Sequence, residues 1–154
     1  MAAASHSSSD GSSHRGMLLL LLASGCSRQS VSMALPSDID PDELKRRIQV
    51  PVTITGEAGT QLTVSPGHVG ACTGWERGTS TVRWKADPAQ VPSVRVEVSD
   101  KTNQSRQVFA GGGSAGEAVA EGWFSAGVTF HVIDATSNRD LTSYTVDALD
   151  CAQQ

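Results

Sequence analysis

The stretch SVRVEV, residues 93–98, puts Val94, Val96 and Val98 on one side of an extended chain and Arg95 and Glu97 on the other. Side chains of a strand point alternately to opposite faces, so this two-residue period demands a sheet with one buried and one wet face. The same period runs through VTIT (Val52, Ile54), QLTV (Leu62, Val64) and TVRW (Val82, Trp84). It continues through RQVFA, AEGWF, VTFHVI and LTSYTV, with turn-forming clusters such as SDKTNQS and DATSNRD between the runs. An apolar sheet face must be covered. About seven or eight short strands with almost no helix among them therefore predict an all-β chain folded as a two-sheet antiparallel sandwich. At 154 residues the chain has room for one such domain. Its 18% charged residues, against roughly 25% in an average domain, disfavour long solvated helices.

One stretch, FAGGGSAGEAVAEGWF (residues 109–124), fits two catalytic motifs at once. Gly111, Gly113 and Gly116 match the dinucleotide fingerprint, and Gly112, Ser114 and Gly116 match the nucleophile elbow of hydrolases. Both motifs require a helix directly after the glycines, because the helix N-terminus binds the pyrophosphate or follows the strained serine turn. EAVAE is too short for that helix before Gly122, and the segments that follow read as strands. After Ser114 the only histidine is His131, which sits mid-strand, with no Asp between the two; Glu117 and Glu121 do lie between them but belong to the same short loop. An arrangement using His68 of SPGHVG stays open. The glycines are expected to form a flexible loop between neighbouring strands, where positive φ permits tight reversal.

The first 26 residues read as an address. Arg15 precedes an apolar run of seven residues, Met17 to Ala23, far short of the ~20 that a membrane-spanning helix needs. A positive residue, a short apolar stretch and small residues before a cut site make a secretory signal. Ala23, Ser24 and Gly25 end at Cys26, and this resembles the lipobox of bacterial lipoproteins. The resemblance implies cleavage before Cys26, acylation of that cysteine and a stable lipid anchor, since two or three chains hold where one does not. Ser27 in place of Asp implies the outer membrane, facing the periplasm. The alternative is ordinary signal cleavage with Cys26 incidental.

With Cys26 assigned to lipid, Cys72 and Cys151 remain as an even pair in an oxidising compartment. A bridge between them would close a loop of about 80 residues and stabilise by roughly 4.5 kcal/mol in the chain-entropy model. Two free thiols are the alternative. No histidine at metal-ligand spacing accompanies them, so neither a zinc site nor any cofactor is expected.

Ser27 to Ser37 is polar and suits a tether. SDIDPDELKRRI follows, with Asp40 as N-cap, Pro41 at N1, Glu43 at N3 and Lys45, Arg46 and Arg47 late. That arrangement predicts a short helix from Pro41 to Ile48. Asp38, Asp40 and Asp42 could also open a calcium loop, but the sixth and twelfth positions are Glu43 and Gln49 where Gly and Glu are needed. The expected organisation is a signal peptide over 1–25, a lipidated N-terminus, tether and short helix over 26–49, and a sandwich over 50–154.

From Gln61 to Val146 the strand series resembles the immunoglobulin-like, fibronectin type III-like modules of bacterial secreted and surface proteins. The likeness is carried by Trp84, Val94 to Val98, Phe109 before the glycines, and GWFSAG leading into Val128 to Ile133. The resemblance implies a single immunoglobulin-like β-sandwich and no shared catalytic residues. Net charge is −4 and no basic cluster exceeds Lys45-Arg46-Arg47, which argues against a nucleic-acid partner. Trp84 is expected in the core. Trp75, Trp123 and Tyr144 are candidates for an exposed recognition surface, with core or strand-end packing as the alternative. Paired carboxylates for glycoside cleavage would have to face each other across a cleft, which sequence cannot establish. The expectation is a non-catalytic envelope lipoprotein, held to the membrane by its lipid, that binds an envelope protein or glycan. The alternatives are an inhibitor or immunity lipoprotein against a periplasmic hydrolase and a structural accessory of a secretion or pilus assembly.

Overall fold

The computed structural model describes residues 40–72 and 74–151. Cys26, the apolar run before it and the tether lie outside the described residues, as does Asp38. The helix α1 (Pro41–Ile48) comes first, with Asp42 N–H donating to Asp40 Oδ1 at 3.0 Å. The cap is the one expected. Glu43, expected to reach back to the cap, instead pairs with Arg46 at 2.7 Å.

Ten strands follow: β1 (Val52–Thr55), β2 (Gln61–Ser65), β3 (Val69–Gly70), β4 (Arg77–Lys85), β5 (Ser93–Ser99), β6 (Gln107–Gly113), β7 (Ala115–Ser125), β8 (Thr129–Asp134), β9 (Arg139–Thr145) and β10 (Ala148–Leu149). Eight of them form two four-stranded antiparallel sheets, ordered β1-β2-β4-β7 and β6-β5-β8-β9. The other two, β3 and β10, make a short parallel pair. Two-residue strands carry no periodicity, which is why the alternation predicts seven or eight strands and the structure has ten. With β2, β4 and β7 as strands A, B and E, and β5, β8 and β9 as C, F and G, the order is that of an immunoglobulin-like sandwich. β6 then lies beside C, where the variable type adds its C′ strand.

The alternating valines face inward as the pattern requires. Leu62, Val64, Val82, Trp84 and Phe124 of one sheet meet Val94, Val96, Phe130, Val132 and Leu141 of the other in one continuous core. α1 does not stand apart with the tether. Leu44 and Ile48 are buried in a second, smaller cluster with Trp75, Leu149 and the Cys72–Cys151 disulfide, so the compact body begins before residue 50. The bridge ties the loop after β3 to the chain end after β10, against the helix. Among the described residues no helix is long and apolar enough to cross a membrane.

The glycine-rich segment is not the flexible loop expected of it. Gly111, Gly112 and Gly113 pair with Arg95, Val94 and Ser93 within a sheet, and Gly116 pairs with Trp84. None of the four has positive φ. Ser114 is the point where the chain leaves the edge of one sheet, β6, for the edge of the other, β7. Gly116 is needed for close approach. A Cβ at Gly116 would overlap the Trp84 ring, lying 2.7 Å from Cε2, and one at Gly112 would touch Cζ2. Trp84 Nε1 donates to Gly113 O at 3.3 Å, so the indole, 4% exposed, spans from one sheet edge to the other. Its burial is as expected.

Gly116→Ala is therefore expected to lower stability by about 1–3 kcal/mol, the range for overpacking. Urea denaturation would register this as a reduced midpoint with unchanged slope. Gly113→Ala, where an added methyl meets only open space, should cost far less.

Candidate functional site

Edge strands β6 and β7 each carry an irregularity, and the two irregularities face one another. In β6, Val96 pairs with Ala110 and Glu97 with Val108, which leaves Phe109 as the extra residue. In β7 the register with β4 shifts between Gly78 and Ser80, so that Glu121, Gly122 and Trp123 bow out between Ala120 and Phe124. Gly122 adopts φ +74, a conformation that most side chains resist. Its N–H donates to Thr79 Oγ1 at 3.3 Å. A bulge re-aims the side chain it carries. Here the two bulges bring Phe109 and Trp123 together edge to face, with ring centroids 5.4 Å apart and planes at 80°. Phe130 from the core backs both, at 5.7 Å from Phe109 and 6.0 Å from Trp123.

Trp123 remains 37% exposed and Val108 beside it 67%. A concavity of about 350 Å³ opens between the sheet edges, lined by Phe109, Trp123, Val108, Asn103, Ser105 and Gln107. A second, of about 360 Å³, also borders Trp123 and is lined by Arg77, Lys101, Thr102 and Ser125. Asp100 and Val128 border both. The β5–β6 loop that forms the rim is held by Asp100, whose Oδ1 accepts from Thr102 Oγ1, Thr102 N–H and Asn103 N–H. Those bonds, the Thr102 hydroxyl foremost, hold the Asp100 carboxyl below the usual carboxylate range and keep it ionised.

The other two aromatic candidates lie elsewhere. Tyr144 is 8% exposed and its hydroxyl donates to Gly67 O at 2.6 Å, so it is a core residue that fastens β9 to the segment after β2. The expectation of an exposed Tyr144 is corrected: the inward face of β9 claims its ring, and a buried phenol must find an acceptor. Burial raises its pKa, since ionisation would leave a charge in the interior. Trp75 is half-buried in the cluster with α1 and the disulfide, and borders a separate cavity of about 240 Å³ with His68 and Arg77. Phe109, one of the residues that carry the immunoglobulin-like resemblance, belongs to the site. The extra residue that turns it toward Trp123 has no signature in the β6 sequence.

Ser114 joins two strands and has no helix after it, so neither catalytic motif finds the context it needs. A different serine meets His131: Ser99 Oγ lies 2.9 Å from Nε2 across neighbouring strands on the outer sheet face. The nearby carboxylates are otherwise engaged, Glu97 by Arg95 at 2.8 Å and Asp140 by Arg106 at 2.6 Å. Without an acid to orient the ring, the bond serves to satisfy a half-buried imidazole. Among the described residues no group of three or more His, Cys, Asp or Glu is placed to hold a metal ion. Comparison with protein-family models, with curated proteins and with solved structures gave no match.

Partial burial, and after it the Arg106 charge, holds the His131 pKa below its ordinary value, while Asp140 and Glu97 act weakly in the opposite sense. With the folded pKa below the unfolded one, both states are neutral above about pH 6.5 and stability there is full. As pH falls through about 6.5 the unfolded chain takes the proton first, and stability declines until the folded pKa is passed. His131→Gln is expected to flatten that part of the decline, measured as the difference between wild-type and variant denaturation midpoints from about pH 7.5 down to about pH 5.

Proposed function

We propose that this chain is a non-catalytic lipoprotein of the bacterial cell envelope whose sandwich acts as a binding module. The observation that carries the reading is Trp123: an exposed indole, braced by Phe109 and Phe130, that lines two concavities at the sheet edge. A monomer normally hides its large aromatic side chains, and a rigid exposed one gives contact area at little entropic cost. The anchoring half of the proposal rests on the lipobox-like run ending at Cys26, which would be acylated at the outer membrane with the sandwich facing the periplasm. The Cys72–Cys151 disulfide supports export, because such bonds persist in oxidising compartments.

Labelled palmitate is expected to enter the wild-type chain and not Cys26→Ala. Label in the variant, or none in either, would sink the anchor. For the module, the full-length tagged chain would be cross-linked in intact envelopes, captured and read by mass spectrometry, with Trp123→Ala and Trp75→Ala alongside. A component lost with Trp123→Ala and kept with Trp75→Ala is the expected result. Were that component a hydrolase inactivated by the chain, the module would act as an inhibitor; an identical profile for all three proteins removes Trp123 from recognition.

A further inference from the structure

The two concavities beside Trp123 differ in chemistry. The one lined by Phe109 offers neutral hydrogen-bonding groups, Asn103, Ser105 and Gln107. The other carries two cations, Arg77 and Lys101. Among the described residues neither cation is in an ion pair with a carboxylate, as Arg83 and Arg95 are and Lys85 is not. Lys101 is also placed with care. Its methylenes lie against Gly127, where φ is +85 and an added Cβ would sit 2.8 Å from the lysine Cε. A long side chain laid along a turn in this way keeps its charged head at the rim. Asp100 brings one negative charge to the same rim, but its Oδ1 is spent on the loop backbone, and two cations outweigh it.

An aromatic ring shared by an amide- and hydroxyl-lined hollow and a cationic one suits a polyhydroxylated ring bearing an acid. From this juxtaposition we propose that the groove binds an acidic glycan. One sugar packs on Trp123, its hydroxyls bond Asn103, Ser105 and Gln107, and a carboxylate or sulfate of the same or the next sugar reaches Arg77 and Lys101. Each hollow, at about 350 and 360 Å³, falls within the range of small-molecule sites. An extended apolar peptide would leave the polar lining and both cations unpaired, which disfavours it. The inference rests on the reading of the chain as a binding module and names its ligand class.

The test is a panel of immobilised uronate and sulfated oligosaccharides, each beside its neutral counterpart, methyl-esterified or desulfated, probed with the full-length chain. The acidic members are expected to bind, less tightly as salt rises, and their neutral counterparts at least ~10-fold more weakly. Arg77→Gln with Lys101→Gln, both surface changes that leave the core untouched, should erase that preference, and Trp123→Ala should weaken every interaction at least ~10-fold. Equal binding of acidic and neutral members, a preference that survives loss of both cations, or an empty panel overturns the acidic-glycan assignment. If the panel is empty while envelope cross-linking still captures a protein through Trp123, the binding-module reading stands alone. If Trp123→Ala changes neither experiment, both fall.

Discussion

The fold turns on Trp84 lying in the notch that Gly116 leaves open. A two-sheet sandwich needs a chain segment that passes from one sheet to the other without opening the core to water. One of the three such passages here occurs at Ser114, and the indole closes it by packing on the backbone on either side and donating to Gly113 O. The ring bridges the sheets at their edge. Its size is matched by the absence of side chains opposite, the complementarity expected of interiors packed as densely as organic crystals.

The same edge is closed by Trp84 at one end and opened by Trp123 at the other. Along β7 the chain runs from Gly116, pressed under the buried indole, to the Gly122–Trp123 bulge, where the second indole turns outward over Phe109. Edge strands invite unwanted pairing, and bulges are one device that interrupts them. In this protein the two bulges also build a surface feature. An aromatic ring fixed by Phe109 and Phe130 loses little freedom on binding, so pre-organisation and edge protection come from one arrangement.

Around α1 a different kind of stabilisation prevails. Leu44 and Ile48 of α1 are too few to build a core, and the helix, eight residues long, is below the length at which isolated helices persist in water. It is held by the cluster around the Cys72–Cys151 bridge, which also fixes the chain end beside β3. The position of α1 thus depends on a covalent bond between segments 79 residues apart in the sequence.

Much of this was legible beforehand because it is local. Alternation gave eight strands their faces, Asp40 and Pro41 marked the helix start, and cysteine arithmetic paired Cys72 with Cys151. The sequence by itself determined an all-β sandwich with one short helix, since a two-residue period admits few other ways to bury one face. What the tertiary structure alone decided was which aromatic residues are inside. Tyr144, Trp75 and Trp123 look alike as residue types, yet Gly67 O accepts the Tyr144 hydroxyl, the disulfide cluster claims Trp75, and a bulge exposes Trp123. It also turned GGGSAG from an expected loop into a paired crossover. The reason is that a glycine's purpose depends on what approaches it, and Trp84 lies about thirty residues away in the chain, beyond the reach of any local pattern.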